Sequence, residues 1–237
     1  MRILITGYGP FGNVSANPSA VIVDKLKPDD DDKEAFRAAA ADQVELVTKV
    51  IDVDYASALN CSNWALRELN VDFAIHIGVH PGSGCVFLEK RAFRNGYVSK
   101  DVQGAVPLRN CCELSECPQR IGQPEPNRDC RFTVLDLDRL RTALLQSMRD
   151  TPLNIQISED PGRFLCGYIY YCSLLNLSGR SLFVHIPPFD HTFTPELITR
   201  LIKQIVIEVV KMIRPSPTQL PASLVSNGIV SFPLART

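Results

Sequence analysis

No excess of charge of either sign marks this chain. Its 237 residues carry 25 Lys+Arg against 26 Asp+Glu, a formal −1 at pH 7. Nucleic acid held by bulk charge is therefore not an expected partner, because there is no basic surplus to release counterions. Also missing is any apolar run close to the roughly 20 residues that span a bilayer, so no membrane partner is expected either. The start, Met1-Arg2-Ile3-Leu4-Ile5-Thr6, has one positive residue and then a run too short for a secretory signal. These absences lead to the expectation of a cytoplasmic protein. The triplets at Asn13, Asn60 and Asn176 are then chance matches to the glycosylation pattern, and the eight cysteines are thiols rather than a disulfide framework. No internal repeat and no linker between two cores is visible. What is present, 45% apolar and 22% charged residues, is the composition of an ordinary globular protein.

The pattern along the chain alternates strand and helix. Strand-like runs fall at residues 2–6, 44–53, 71–77, 86–93, 153–158 and 181–186. Asn17-Pro18 opens a helix with Asn17 as N-cap, and its apolar side is assigned to Ala20, Val21, Val23 and Leu26. Asp54 caps a second helix with Tyr55, Leu59, Leu66 and Leu69 at helical spacing. Further helices are expected from Asp136 or Asp138, over residues 163–177, and from Thr194-Pro195 with Leu197, Leu201, Ile205, Val209 and Met212 on one face. A poor helix around Ala38, a long loop over residues 97–128 and a tail complete the picture. The expected architecture is a three-layer α/β/α sandwich with a mostly parallel central sheet, as one domain over residues 1–213 with a tail over 214–237. In such a sheet, ligands sit at the carboxyl ends of the strands.

Several segments carry candidate chemistry. Gly7-Tyr8-Gly9-Pro10-Phe11-Gly12 has dinucleotide-loop spacing, yet the helix signal comes only at Asn17-Pro18 and Pro10 removes a backbone donor. The better reading is a rigid loop presenting Tyr8 and Phe11 as exposed aromatics to a small flat ligand. Cys111, Cys112, Cys117 and Cys130 fit zinc-ligand spacing poorly, and no metal is expected. Cys166 lies near the start of an apolar helix, where free N–H groups and the macrodipole favour a thiolate and could hold an oxyanion. His185 sits near the end of a strand closed by Pro187-Pro188, and an imidazole among apolar residues needs a partner. One helix and one strand separate Cys166 from His185, as in neighbouring strands, which would put a base beside the thiol. Glu89 is a candidate to orient that base.

Taken together, four blocks resemble the pyroglutamyl peptidase I family, also called pyrrolidone-carboxylate peptidases. They are Leu4-Ile5-Thr6-Gly7-Tyr8-Gly9-Pro10-Phe11-Gly12 with Asn17-Pro18-Ser19, Gly78-Val79-His80-Pro81 with Val86-Phe87-Leu88-Glu89-Lys90-Arg91-Ala92, Ile157-Ser158-Glu159-Asp160-Pro161-Gly162-Arg163-Phe164-Leu165-Cys166, and Phe183-Val184-His185-Ile186-Pro187-Pro188. The cysteine-bearing loop and Gly179-Arg180-Ser181 look more like animal members. The resemblance implies an α/β/α cysteine peptidase, free of cofactors, that removes N-terminal pyroglutamate from peptides. It implies Cys166 as nucleophile, His185 as base and acid, and Glu89 as the residue orienting His185. Tyr8, Phe11, Phe164 and Leu165 would line the pyrrolidone pocket, and Asn17 would hold the loop carrying the aromatics. The chain departs from the family pattern at Phe87, Arg91, Arg94, Pro161 and Gly167. Strand alternation would put Arg91 on the side of Glu89, in competition with His185. The alternative is a weak or inactive relative that binds peptide N-termini or a protein partner. Oligomeric state is left open.

Overall fold

A computed structural model describes residues 1–12, 15–26, 44–82, 84–112 and 129–213. The elements are β1 (Arg2–Tyr8), α1 (Pro18–Lys25), β2 (Glu45–Ile51), α2 (Tyr55–Arg67), β3 (Phe73–Val79), β4 (Val86–Glu89), β5 (Arg91–Phe93), β6 (Cys130–Phe132), α3 (Leu137–Ser147), β7 (Ile155–Ser158), α4 (Leu165–Asn176), β8 (Ser181–Ile186) and α5 (Pro195–Ile213). The expected poor helix near Ala38 and the tail lie outside the described residues, as does the second half of the expected long loop. Its first half holds a short 3₁₀ turn, Leu108–Asn110.

Six strands form the central sheet in the order β2-β1-β3-β8-β4-β7, and every pairing is parallel except β4 with β8. Alternation along each strand feeds two cores. Ile3, Ile5, Ile75, Ile77, Leu182 and Val184 point to α1, α3 and α5. Leu4, Tyr8, Ala74 and Phe183 point to α2 and α4. Each fully buried aliphatic or Phe side chain stabilises this three-layer arrangement by about 1.5–3 kcal/mol. Among the described residues no helix is long and apolar enough to cross a membrane.

Helix starts follow local cap chemistry. Asn17 accepts from the Ser19 amide, Asp54 from the Ser57 amide and Asp136 from the Arg139 amide, each satisfying an N–H that the first turn leaves open. Helix faces are less faithful to the sequence reading. In α1 the buried positions are Ser19, Ile22 and Val23, while Ala20 and Val21 are half-exposed. In α2 Leu66 is exposed, because Tyr55, Ala58, Cys61, Ser62 and Ala65 face the sheet. In α5, Ile198, Leu201, Ile202, Ile205 and Val209 are buried, while Leu197 and Met212 only flank the core.

Two differences bear on the site. β7 is not the neighbour of β8, because β4 lies between them and runs antiparallel to β8. The expected single extended run over residues 86–93 is broken at Lys90. β4 belongs to the main sheet, whereas β5 leaves it to pair with β6.

Candidate active site

β4, β8 and β3 bring one short row of residues together under α4. His185 pairs with Gly78 of β3 on one side and with Phe87 of β4 on the other. Glu89 lies two residues along β4, opposite Phe183 and on the same face. Its carboxylate therefore reaches His185 diagonally, and His185 Nδ1 donates to Glu89 Oε1 at 2.7 Å. Glu89 is 1% exposed and His185 4%, so this pair is shielded from water. Tyr170 of α4 donates its hydroxyl to the Glu89 backbone carbonyl at 2.7 Å, tying the carboxylate's strand to the helix above it.

Cys166 is the second residue of α4 and is half-buried. Its thiol is close enough to His185 to help raise the pKa of the imidazole. Since Nδ1 is committed to Glu89, Nε2 is the nitrogen left for the thiol. Burial alone would lower the His185 pKa, but the hydrogen bonds to Cys166 and Glu89 and the negative charge on both partners overcome it and push it from 6.5 up to about 9. Gly78 makes room for the sulfur. A Cβ at Gly78 would stand 3.1 Å from Cys166 Sγ and 2.7 Å from Phe183 Cζ. A glycine inside an apolar strand is the sequence signal that would have found this position.

The start of α4 is held by a residue distant in sequence rather than by a local cap. No side chain caps it: Phe164, in the N-cap position, makes no side-chain cap bond. The Tyr8 hydroxyl donates to the Leu165 carbonyl at 2.8 Å. Tyr8 is thus not the exposed aromatic expected from the sequence. It is 5% exposed, because its ring runs beneath the helix start to reach that carbonyl. Burial, and then the nearby Cys166, push its phenol pKa well up. Leu165 is also displaced from the expected lining, with a side chain 1% exposed in the α2–α4 core. Phe11 is 40% exposed. Phe164 is half-buried and meets Tyr55 edge-on at 6.0 Å, a neighbour not anticipated from the sequence. Asn17 donates to the Gly9 carbonyl at 3.1 Å, which joins the α1 cap to the loop after β1. Gly7 is explained by packing: a Cβ there would stand 2.5 Å from the Ser19 carbonyl oxygen.

Three of the departures from the family pattern, Arg91, Pro161 and Gly167, have a local structural setting. Arg91 does not approach Glu89. The chain turns off the sheet at Lys90, and Arg91 instead pairs with Glu159, Nη2 to Oε2 at 3.1 Å, and stacks on Phe93 with its guanidinium 5.0 Å from the ring centre. Gly167 and the loop before α4 form one unit. Gly162 adopts φ +82, its amide donates to Asp160 Oδ1 at 3.0 Å, and a Cβ at Gly167 would land on the Gly162 carbonyl oxygen. Pro161 is buried beside it. The loop cysteines disperse: Cys111 donates to Asn95, Cys112 contacts the Cys172 thiol at 2.7 Å, and Cys117 lies outside the described residues. The described cysteines are free, and among the described residues no three His, Cys, Asp or Glu side chains converge as metal ligands.

Known proteins resemble the chain in sequence and in fold. A family model described as pyroglutamyl peptidase matches residues 1–202. Pyroglutamyl-peptidase 1 of Homo sapiens is 27% identical over 214 residues, covering 90% of this chain and 92% of its own. Pyrrolidone-carboxylate peptidase of Pyrococcus furiosus is 23% identical, covering 79% and 81%. A crystal structure of the P. furiosus enzyme superposes with a TM-score of 0.71 at 20% identity, covering 89% of this chain and 99% of that one. The pyroglutamyl peptidase I of Bacillus amyloliquefaciens gives 0.66 at 20% identity, covering 88% and 96%. With the family model spanning most of its length, the chain belongs to the pyroglutamyl peptidase family.

Proposed function

We propose that this protein hydrolyses the amide bond between an N-terminal pyroglutamyl residue and the rest of a peptide, through a thioester on Cys166. The observation that carries the reading is the buried His185–Glu89 pair, whose imidazole is pushed up to about 9 beside the Cys166 thiol. At neutral pH this favours an imidazolium next to sulfur, the arrangement a cysteine nucleophile requires.

In the proposed sequence, Cys166 sulfur attacks the pyroglutamyl carbonyl, and the open N–H groups of the first turn of α4 face the developing oxyanion. The His185 imidazolium gives its proton to the departing amine as the C–N bond breaks, leaving the thioester. Neutral His185 then takes a proton from water, the hydroxide adds to the thioester, and pyroglutamic acid leaves as the sulfur–carbon bond breaks. Glu89 fixes the imidazole's orientation and stabilises its charge. No step requires a metal or cofactor.

Phe11 and Phe164 are the aromatic surfaces offered to the flat, neutral pyrrolidone ring. Tyr8 and Leu165 act behind them, through the hydrogen bond that sets the helix start, and Asn17 acts through Gly9. A charged N-terminus would lose hydration in such a slot without a counter-charge, which favours the cyclised residue over a free amine. Because Arg91 is engaged by Glu159, the carboxylate of Glu89 remains with His185, which supports an active enzyme over a silent relative.

The test is release of a fluorophore from a pyroglutamyl amide, beside the matching prolyl amide and the Cys166→Ala variant. The reading requires release from the pyroglutamyl compound alone and its loss in the variant. Folded wild-type protein that releases nothing would contradict it.

A further inference from the structure

On the outer side of His185 stands a ring pair that the proposed chemistry does not use. His80 follows β3 and is exposed; its amide donates to the Ile186 carbonyl at 2.9 Å, which anchors it at the carboxyl end of β8. Its ring lies 5.6 Å from the His185 ring at 84° and 5.4 Å from the Phe87 ring at 62°. Phe87 is half-buried and is the direct strand partner of His185 on the same face. Three rings thus meet edge to face, with the outermost in solvent.

The position of this corner is set by the reaction. If Cys166 takes the acyl group, the pyrrolidone ring belongs on the side of Phe164 and Phe11. The departing nitrogen must come within reach of His185, because that imidazole delivers its proton. The residue attached to that nitrogen then lies beside His185, where the exposed His80 ring and the half-buried Phe87 ring stand. Resting on the peptidase reading above, we propose that His80 and Phe87 form the subsite for the residue that follows pyroglutamate, and that they select a flat aromatic side chain there. An open ring corner gains little from a short aliphatic side chain. A flat ring can stack on one member and meet the other edge-on, a geometry worth about fivefold in discrimination.

The experiment compares kcat/KM for pyroglutamyl-phenylalanine amide and pyroglutamyl-alanine amide in the wild type, His80→Ala and Phe87→Leu, with circular dichroism to establish folding. The Phe/Ala ratio is expected to be about five in the wild type and to fall towards one in His80→Ala, with a smaller fall in Phe87→Leu. A wild-type ratio near one overturns the subsite. So does an equal slowing of both substrates together with a displaced pH profile, which would mean that the rings only shield His185. If the wild type cleaves neither amide, the peptidase reading fails by itself. Affinities of the intact amides by titration calorimetry then decide the subsite: tighter binding of the phenylalanine amide that His80→Ala removes keeps it, and equal or undetectable binding overturns it.

Discussion

Two histidines one row apart on the same sheet face, both under α4, have opposite fates. His76 of β3 lies between hydroxyls, with Nδ1 2.7 Å from Thr6 Oγ1 and Nε2 2.8 Å from Ser173 Oγ. Burial without a charged partner pulls its pKa from 6.5 down to about 3. His185 of β8 is nearly as buried, yet a carboxylate and a thiol raise it to about 9. Burial is common to both, so the partners decide. Hydroxyls satisfy a neutral ring, whereas Glu89 and Cys166 favour a charged one. The first histidine holds β1, β3 and α4 together, and the second is free to carry a proton.

The comparison breaks most completely if its reactive half is removed. Cys166→Ala, or His185→Asn, is expected to lower kcat for pyroglutamyl amides by about 10⁴-fold or more, with melting close to wild type. Glu89→Gln keeps the shape of the pair but removes its charge. It is expected to cost about 10³–10⁴ in kcat. The alkaline limb of the rate profile, expected near 9 in the wild type, should also move to lower pH, as the imidazole loses a cause of its raised pKa. Gly78→Ala pushes a methyl group against Cys166 Sγ and the Phe183 ring. A displaced nucleophile of this kind costs about 10²-fold, read from steady-state kinetics of folded protein.

The hydroxyl-bound half gives smaller effects of another kind. His76→Leu leaves Thr6 and Ser173 without their imidazole partner and is expected to cost about 2 kcal/mol of stability in denaturant melts, with the shape of the pH–rate profile unchanged. The two histidines also act at opposite ends of the pH scale. The folded pKa of His185 is raised, so its contribution is fully present below about 6.5 and is lost as pH rises through about 9. The folded pKa of His76 is lowered, so its contribution is present above about 6.5 and is lost as pH falls towards 3. Thermal melts across pH should therefore lose part of their alkaline slope in Glu89→Gln and part of their acid slope in His76→Leu.

What was legible in the sequence was local chemistry. Asn17, Asp54 and Asp136 announce helix starts because a cap bond spans two or three residues, and the bounds of β8 follow from an apolar run closed by Pro187-Pro188. The candidate triad could be named from its blocks, but the way its members meet could not be read. Insertion of β4 between β7 and β8 depends on pairings distant in the chain, and it alone puts Glu89 diagonal to His185. Arg91 was misplaced because alternation assumes an unbroken strand, whereas Lys90 hands the chain from β7 to the β6 region: its amide donates to Ser158 and its carbonyl accepts from Thr133. Tyr8 was misread as exposed because its hydroxyl partner, the Leu165 carbonyl, lies 157 residues away. His80 carries no local signal, since only the register of β3 with β8 places it beside the imidazole.

The most direct test of the central claim, that His185 and Glu89 activate Cys166 in particular, is the rate of iodoacetamide alkylation at each cysteine near neutral pH, resolved by peptide mass spectrometry in the wild type and Glu89→Gln. The account predicts that Cys166 reacts far ahead of Cys111, the other half-exposed thiol among the described residues, and that Glu89→Gln closes much of that gap. Alkylation of Cys166 no faster than Cys111, or equally fast in the variant, would contradict it.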